Sequence, residues 1–308
     1  MKTNRRTFLK QTGILTAATA IVPSVLSGCS GNPFKISLAE WSLHRALHGG
    51  EMTNLDFPAK AKDFGIMGLE YVNTFFESAK ESYLSELLKR TQDVGAENVL
   101  IMVDGEGALG DLDDDKRQQA VENHYKWVEA AKYLGCHSIR VNARGDGTEE
   151  EVANAAVHGL GSLAEYAEQE DINVIVENHG GYSSNGTWMS DVIRKVANAN
   201  CGTLPDFGNF CITRVMDPDT GERKCTDEYD RYKGVEELMP FAYGVSAKSH
   251  DFDSEGNEIH TDFYKMIDIV KASGYKGYIG IEYEGSKLSE DEGILATKKL
   301  LEKVFAEL

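Results

Sequence analysis

The chain is short of positive charge: 32 Lys and Arg stand against 50 Asp and Glu, a formal net charge of −18. So acidic a surface repels phosphate backbones and anionic membranes, which argues against a nucleic-acid partner. Cysteine is scarce as well. Beyond Cys29 there are only Cys136, Cys201, Cys211 and Cys225, at spacings that fit no zinc module. In an oxidising compartment Cys211 and Cys225 could staple the loop between them; buried free thiols are the alternative. There is no GxSxG elbow, no P-loop and no cysteine-nucleophile motif, so nothing points to a serine hydrolase, a nucleotide-phosphate cradle or a thiol enzyme. Long apolar runs are missing too. The stretch Thr12 to Leu26 falls short of the roughly 20 residues that a membrane span needs.

That short stretch has informative flanks. Asn4-Arg5-Arg6-Thr7-Phe8-Leu9-Lys10 before it is a twin-arginine signature, and Leu26-Ser27-Gly28-Cys29 after it matches a lipoprotein cleavage box. Residues 1–28 are therefore expected to be a twin-arginine signal peptide, with Cys29 the lipidated first residue and 29–33 a linker. The protein is then exported to the periplasm or cell envelope and touches a membrane only through the anchor at Cys29. The leader carries Lys2, Arg5, Arg6 and Lys10 and no acid, so the chain without it has a net charge of −22.

The remaining residues alternate between strand and helix patterns. Strand-like runs occur at Ile36–Trp41, Gly68–Val72, Val99–Val103, Ser138–Asn142, Val174–Glu177, Gly202–Asp206, Tyr243–Lys248 and Tyr278–Tyr283. Helical patterns fall between and after them at Asp56–Phe64, Tyr83–Val94, Lys116–Leu134, Glu149–Glu170, Met189–Ala199, Val235–Phe241, Asp262–Ala272 and Glu290–Phe305. Gly65, Gly95, Gly135 and Gly274 stand just past helix ends, where a left-handed residue is wanted. Eight βα units predict one α/β domain over 34–308, a single (β/α)8 TIM barrel with its working face at the carboxyl ends of the strands. An open doubly wound sheet is disfavoured, since no Gly-rich phosphate turn follows the first strand. The long connections Asp104–Asp115 and Cys211–Tyr232 follow strands and belong on that same face, as rim or lid.

Three late strands end on acids: Asn173-Val-Ile-Val-Glu177-Asn-His179, Leu204-Pro-Asp206-Phe-Gly-Asn209 and Tyr278-Ile-Gly-Ile-Glu282-Tyr-Glu284. A carboxylate at a buried strand end costs stability unless it is paired or bound to a cation. One such acid reads as a salt bridge, with Lys248, Arg140 and Arg144 as available partners. Three at matching positions read as a ring of ligands.

These motifs, with Ser246-Ala-Lys248-Ser-His250-Asp251, Ala39-Glu40-Trp-Ser-Leu-His44 and Gly68-Leu-Glu70-Tyr, resemble the xylose isomerase-like barrels of the sugar phosphate isomerase/epimerase superfamily. The resemblance covers essentially all of the chain after the leader. It implies one divalent ion (Mn²⁺, Mg²⁺, Co²⁺ or Zn²⁺) held by Glu, Asp, His and Glu on strands five to eight. Glu177, Asp206 and Glu282 match the first, second and fourth. At the third the family places His two residues before a Lys, and here that residue is Ser246. His250, two residues beyond Lys248, could complete the set from one layer higher, or contact substrate with water as the fourth ligand. The resemblance also implies Glu177 and Glu282 as catalytic acids and bases, and Glu40, His179, Lys248, Asn209 and Arg140 as substrate contacts.

The activity so implied is a metal-dependent sugar isomerase or epimerase that removes a proton next to a carbonyl through an enediolate. A lyase or dehydratase on keto-sugars, keto-glycosides or inososes would share the opening step. A non-catalytic sugar-binding lipoprotein is a further alternative, for which Ser246 is the argument. An abasic-site endonuclease on the same barrel is excluded by charge and by the shortage of histidine ligands. The expected partner is a small sugar or sugar derivative; association of the chain with itself stays open.

Overall fold

The computed structural model describes residues 34–218 and 221–308. The expected leader, Cys29 and the linker lie outside the described residues. In chain order the strands are β1 Lys35–Ala39, β2 Gly68–Val72, β3 Glu97–Met102, β4 Ser138–Val141, β5 Asn173–Glu177, β6 Cys201–Leu204, β7 Cys211–Met216, β8 Arg223–Glu228, β9 Val245–Ser249 and β10 Tyr278–Tyr283. All but β7 and β8 join one parallel sheet in the order β6-β5-β4-β3-β2-β1-β10-β9. Bridges Thr203–Ala242 and Asp206–Ser246 link its two edges and close the barrel. The Ser246 N–H donates to the Pro205 carbonyl at 2.9 Å and the Phe207 N–H to the Ser246 carbonyl at 3.0 Å.

Parallel strands covered on both faces read as apolar runs, and the residue alternation decides which face each side chain serves. Leu38, Leu69, Ile101, Ile139, Val174, Val176, Ile279 and Ile281 pack outward against the helices. Ala39, Val72, Leu100, Met102, Ile175 and Leu204 form a second, inner cluster. The same inward register carries Glu70, Arg140, Glu177, Ser246, Lys248 and Glu282, so the barrel interior turns from apolar to charged within two residues along several strands.

Nine α-helices are present among the described residues: α1 His44–His48, α2 Phe57–Asp63, α3 Glu81–Val94, α4 Asp114–Leu134, α5 Glu149–Glu168, α6 Gly186–Val196, α7 Arg231–Leu238, α8 Phe263–Ala272 and α9 Glu290–Ala306. The short α1 was not expected. α6 and α7 begin three and four residues earlier than the apolar pattern suggests, because Asn185 and Asp230 cap them through their side chains. Gly95 and Gly135 end α3 and α4 at φ of 75° and 78°, as their positions implied.

The connection after β6 is an antiparallel hairpin of β7 and β8, tied by a Cys211–Cys225 disulfide. Every residue of β8 is exposed, and a two-stranded ribbon in water is marginal alone, so the covalent tie carries much of its order. Cys136 and Cys201 are buried free thiols.

The connection after β3 docks on α5 at Gly159, where a Cβ would stand 2.0 Å from the Leu109 carbonyl oxygen. Gly159→Ala is therefore expected to lower stability by ~1–3 kcal/mol through overpacking, although Ala is the better helix former. Urea unfolding would decide; a gain in stability would show that the loop yields freely.

Candidate active site

Each inward acid at the barrel mouth is set by local backbone chemistry. Glu177 closes β5, and its two oxygens face Asn209 Nδ2 at 2.9 Å and Arg140 Nε at 2.9 Å. Asp206 lies just beyond β6, where its Oδ1 accepts the Gly208 and Asn209 N–H groups at 2.9 and 2.8 Å. The Asn178 side chain fixes this exit by accepting the Asp206 N–H at 2.7 Å and donating to its carbonyl at 3.0 Å. Glu282, on β10, lies 3.2 Å from Lys248 Nζ.

The three carboxyl groups converge: one oxygen of each of Glu177, Asp206 and Glu282 lies within 4.8 Å of the others. None is more than 3% exposed. Ser246, in the position where a histidine was considered, sends its hydroxyl to Asp206 Oδ2 at 2.6 Å and lies 3.0 Å from Glu282 Oε2. His250 follows β9 outside this cluster, its ring meeting His260 edge-on at a centroid distance of 6.0 Å.

Two cations neighbour these acids. Arg140 bridges Glu177 and Asp104, the latter at 3.0 Å, and Lys248 bridges Glu282 and Glu284, the latter at 3.4 Å. Four carboxylates thus share two positive charges, with Asp206 a further acid beside Lys248. Burial, against the pull of Arg140, pushes Glu177 up to about 7, with Glu282 adding to the rise. Burial likewise pushes Asp206 up to about 8, opposed by Lys248. Burial works against the Lys248 charge, but Glu282, Asp206 and Glu284 hold its ammonium well above its ordinary range. His179 is pulled down to about 4 by burial and by Arg140 and Lys248, so its imidazole is neutral.

A cavity of about 730 Å³ opens beside the acids, over the β1 to β5 side of the mouth. Glu282, Glu284, Arg140, His179, Asp104 and Trp41 are on its wall. Glu177 and Asp206 are buried beside Glu282 and do not line the cavity. Trp41 donates to Glu284 at 2.6 Å, which fixes the indole. Glu40, expected at the substrate, is fully buried away from this wall; it accepts from Asn54 and from the Val72 N–H, both at 2.9 Å. Asp104, Asn178 and Glu284 were given no role from sequence, and Arg144 only that of a salt-bridge partner for the acids. Only Glu284 had a visible signal, the acid two residues after Glu282 on the same inward face.

Residues 58–304 match the family described as xylose isomerase-like TIM barrel. The chain belongs to that family. Over 66 residues it is 35% identical to the C-glycoside deglycosidase alpha subunit of Arthrobacter globiformis, a match spanning 20% of this chain and 19% of that one. Among solved structures, a D-tagatose 3-epimerase-like protein superposes with a TM-score of 0.66 at 17% identity, covering 89% of this chain and 98% of the other. A 3-keto-D-glucoside 4-epimerase from E. coli gives 0.65 at 13%, covering 88% and 99%. A family member from Mycobacterium smegmatis in complex with magnesium gives 0.64 at 14%, covering 89% and 97%. At such identities the likeness to these structures is one of fold.

Proposed function

We propose that this family member is a divalent-metal-dependent isomerase or epimerase of an unphosphorylated sugar or sugar derivative, acting by proton removal next to a carbonyl through an enediolate. The observation that carries this reading is the convergence of Glu177, Asp206 and Glu282 within 4.8 Å, buried at the barrel mouth.

The donor set fits a hard or borderline cation such as Mn²⁺, Mg²⁺, Co²⁺ or Zn²⁺. Carboxylates outnumber cations there, and Glu177 Oε2, though 2.9 Å from Arg140 Nε, accepts no well-aligned hydrogen bond. Bound by the three acids, the ion would polarise a substrate carbonyl and stabilise the charge that develops on its oxygen. Glu177 and Glu282 reach the site from β5 and β10 and would take and return the proton. Asn209 and Arg140 orient Glu177. Lys248 and His179 would supply N–H groups to the developing oxyanion. The twin-arginine and Cys29 motifs support a place in the cell envelope, an awkward home for sugar phosphates.

A lyase acting on keto-glycosides is the second reading, favoured by the 66-residue likeness to a deglycosidase subunit. Product NMR in D₂O separates the two. Deuterium at a retained centre supports the epimerase, and loss of a substituent supports the lyase.

Protons and a metal ion compete for the same oxygens. With Glu177 near 7 and Asp206 near 8 in the metal-free site, Mn²⁺ affinity is expected to climb from about pH 6 and level off only above about pH 9, with protons released on binding. Calorimetry in buffers of different ionisation enthalpy reads both quantities. Affinity that does not change over this range would place the ion elsewhere.

A further inference from the structure

Arg144 and His179 stand together on the cavity wall, with the guanidinium 3.0 Å from His179 Nδ1. A guanidinium only donates hydrogen bonds and keeps its charge, so Nδ1 must be the acceptor. The ring proton then sits on Nε2, for which the described residues supply no hydrogen-bond partner. We propose that Arg144 is a positioning residue, which fixes His179 in the Nε2–H tautomer so that the imidazole offers an N–H to a substrate oxygen in the cavity.

Both ends of the contact are anchored. The Arg144 carbonyl accepts the Gly110 N–H at 2.7 Å, and a Cβ on the adjacent Gly145 would stand 1.9 Å from the Gly110 oxygen. These glycines let the connections after β3 and β4 meet backbone to backbone. The His179 N–H donates to Ser183 Oγ at 3.0 Å. Accepting a charged donor at Nδ1 also draws electron density from the ring and strengthens the Nε2–H as a donor. With the opposite tautomer, the ring would turn a lone pair toward the oxygen that becomes negative in the proposed reaction. The catalytic half of this inference rests on that reaction; the tautomer does not.

The test uses the metal-free protein labelled with ¹⁵N in histidine, with the His179 ring assigned from the His179→Gln spectrum. Arg144 is exposed, so its replacement leaves the buried core alone. Long-range ¹H–¹⁵N spectra are expected to show Nε2–H in the wild type, a tautomer mixture in Arg144→Met, and the wild-type pattern largely kept in Arg144→Lys. In the metal-loaded enzyme, Arg144→Met is expected to lower kcat by roughly 10–100-fold with KM within about threefold, and Arg144→Lys to recover part of the loss. An Nδ1–H ring in the wild type, or an unchanged ring in Arg144→Met, overturns the assignment. A shifted tautomer with unchanged kcat overturns its catalytic part. A wild-type enzyme inactive on every keto-sugar would count against the reaction, while the ring spectrum would still decide the role of Arg144.

Discussion

Glu177→Gln and Glu282→Gln should each reduce turnover by about 10³-fold or more while the barrel stays folded. General acid–base groups contribute about 10²–10⁴-fold, and these two acids would also hold the ion, so both contributions are lost together. The amide keeps the shape of the side chain. In Glu282→Gln, Lys248 retains Glu284, and in Glu177→Gln, Arg140 retains Asp104, so neither buried cation is stranded. The assay is solvent deuterium exchange at the carbon next to the carbonyl of candidate ketoses and keto-glycosides, with circular dichroism as the check on fold. Near wild-type exchange in both variants would remove the mechanism.

Lys248→Met should destabilise the metal-free protein by ~3–5 kcal/mol, the usual cost of stripping one partner from a buried ion pair. Lys248 is only 3% exposed, so water cannot screen the loss. Glu282 and Glu284 would face each other without the ammonium between them, beside an Asp206 whose carboxyl is already pushed up to about 8. A divalent ion should restore part of the stability, since it supplies charge to the same acids. Urea unfolding with chelator and then with Mn²⁺ measures both effects. A loss below about 1 kcal/mol would mean that the ammonium is not what balances the cluster.

Much of the site was legible because residue alternation along a parallel strand is strict. Once Glu177 and Glu282 were placed at strand ends, their inward direction followed, and so did that of Ser246 and Lys248. Asp206 was legible for a weaker reason: β6 ends at Leu204, and the acid is turned inward by the backbone N–H groups of Gly208 and Asn209. Salt bridges to the acids and a ring of ligands were the two sequence readings; Arg140 does pair with Glu177 and Lys248 with Glu282, and the three acids also converge. Glu40, at the end of β1, accepts from an Asn54 side chain and a strand N–H, partners that no local pattern reveals. Helix starts at α6 and α7 were missed where a capping side chain lay outside the apolar repeat.

The sequence by itself determined the βα alternation, the apolar strands and which residues face inward, since each follows from short-range periodicity and capping chemistry. Tertiary structure alone decided what the inward residues meet: the sharing of two cations among four carboxylates, the Trp41–Glu284 bond across 243 positions of chain, and the Arg144–His179 contact. Such contacts depend on barrel closure and on backbone approach at Gly110 and Gly145. Both join segments far apart in the chain, and no local pattern encodes that distance.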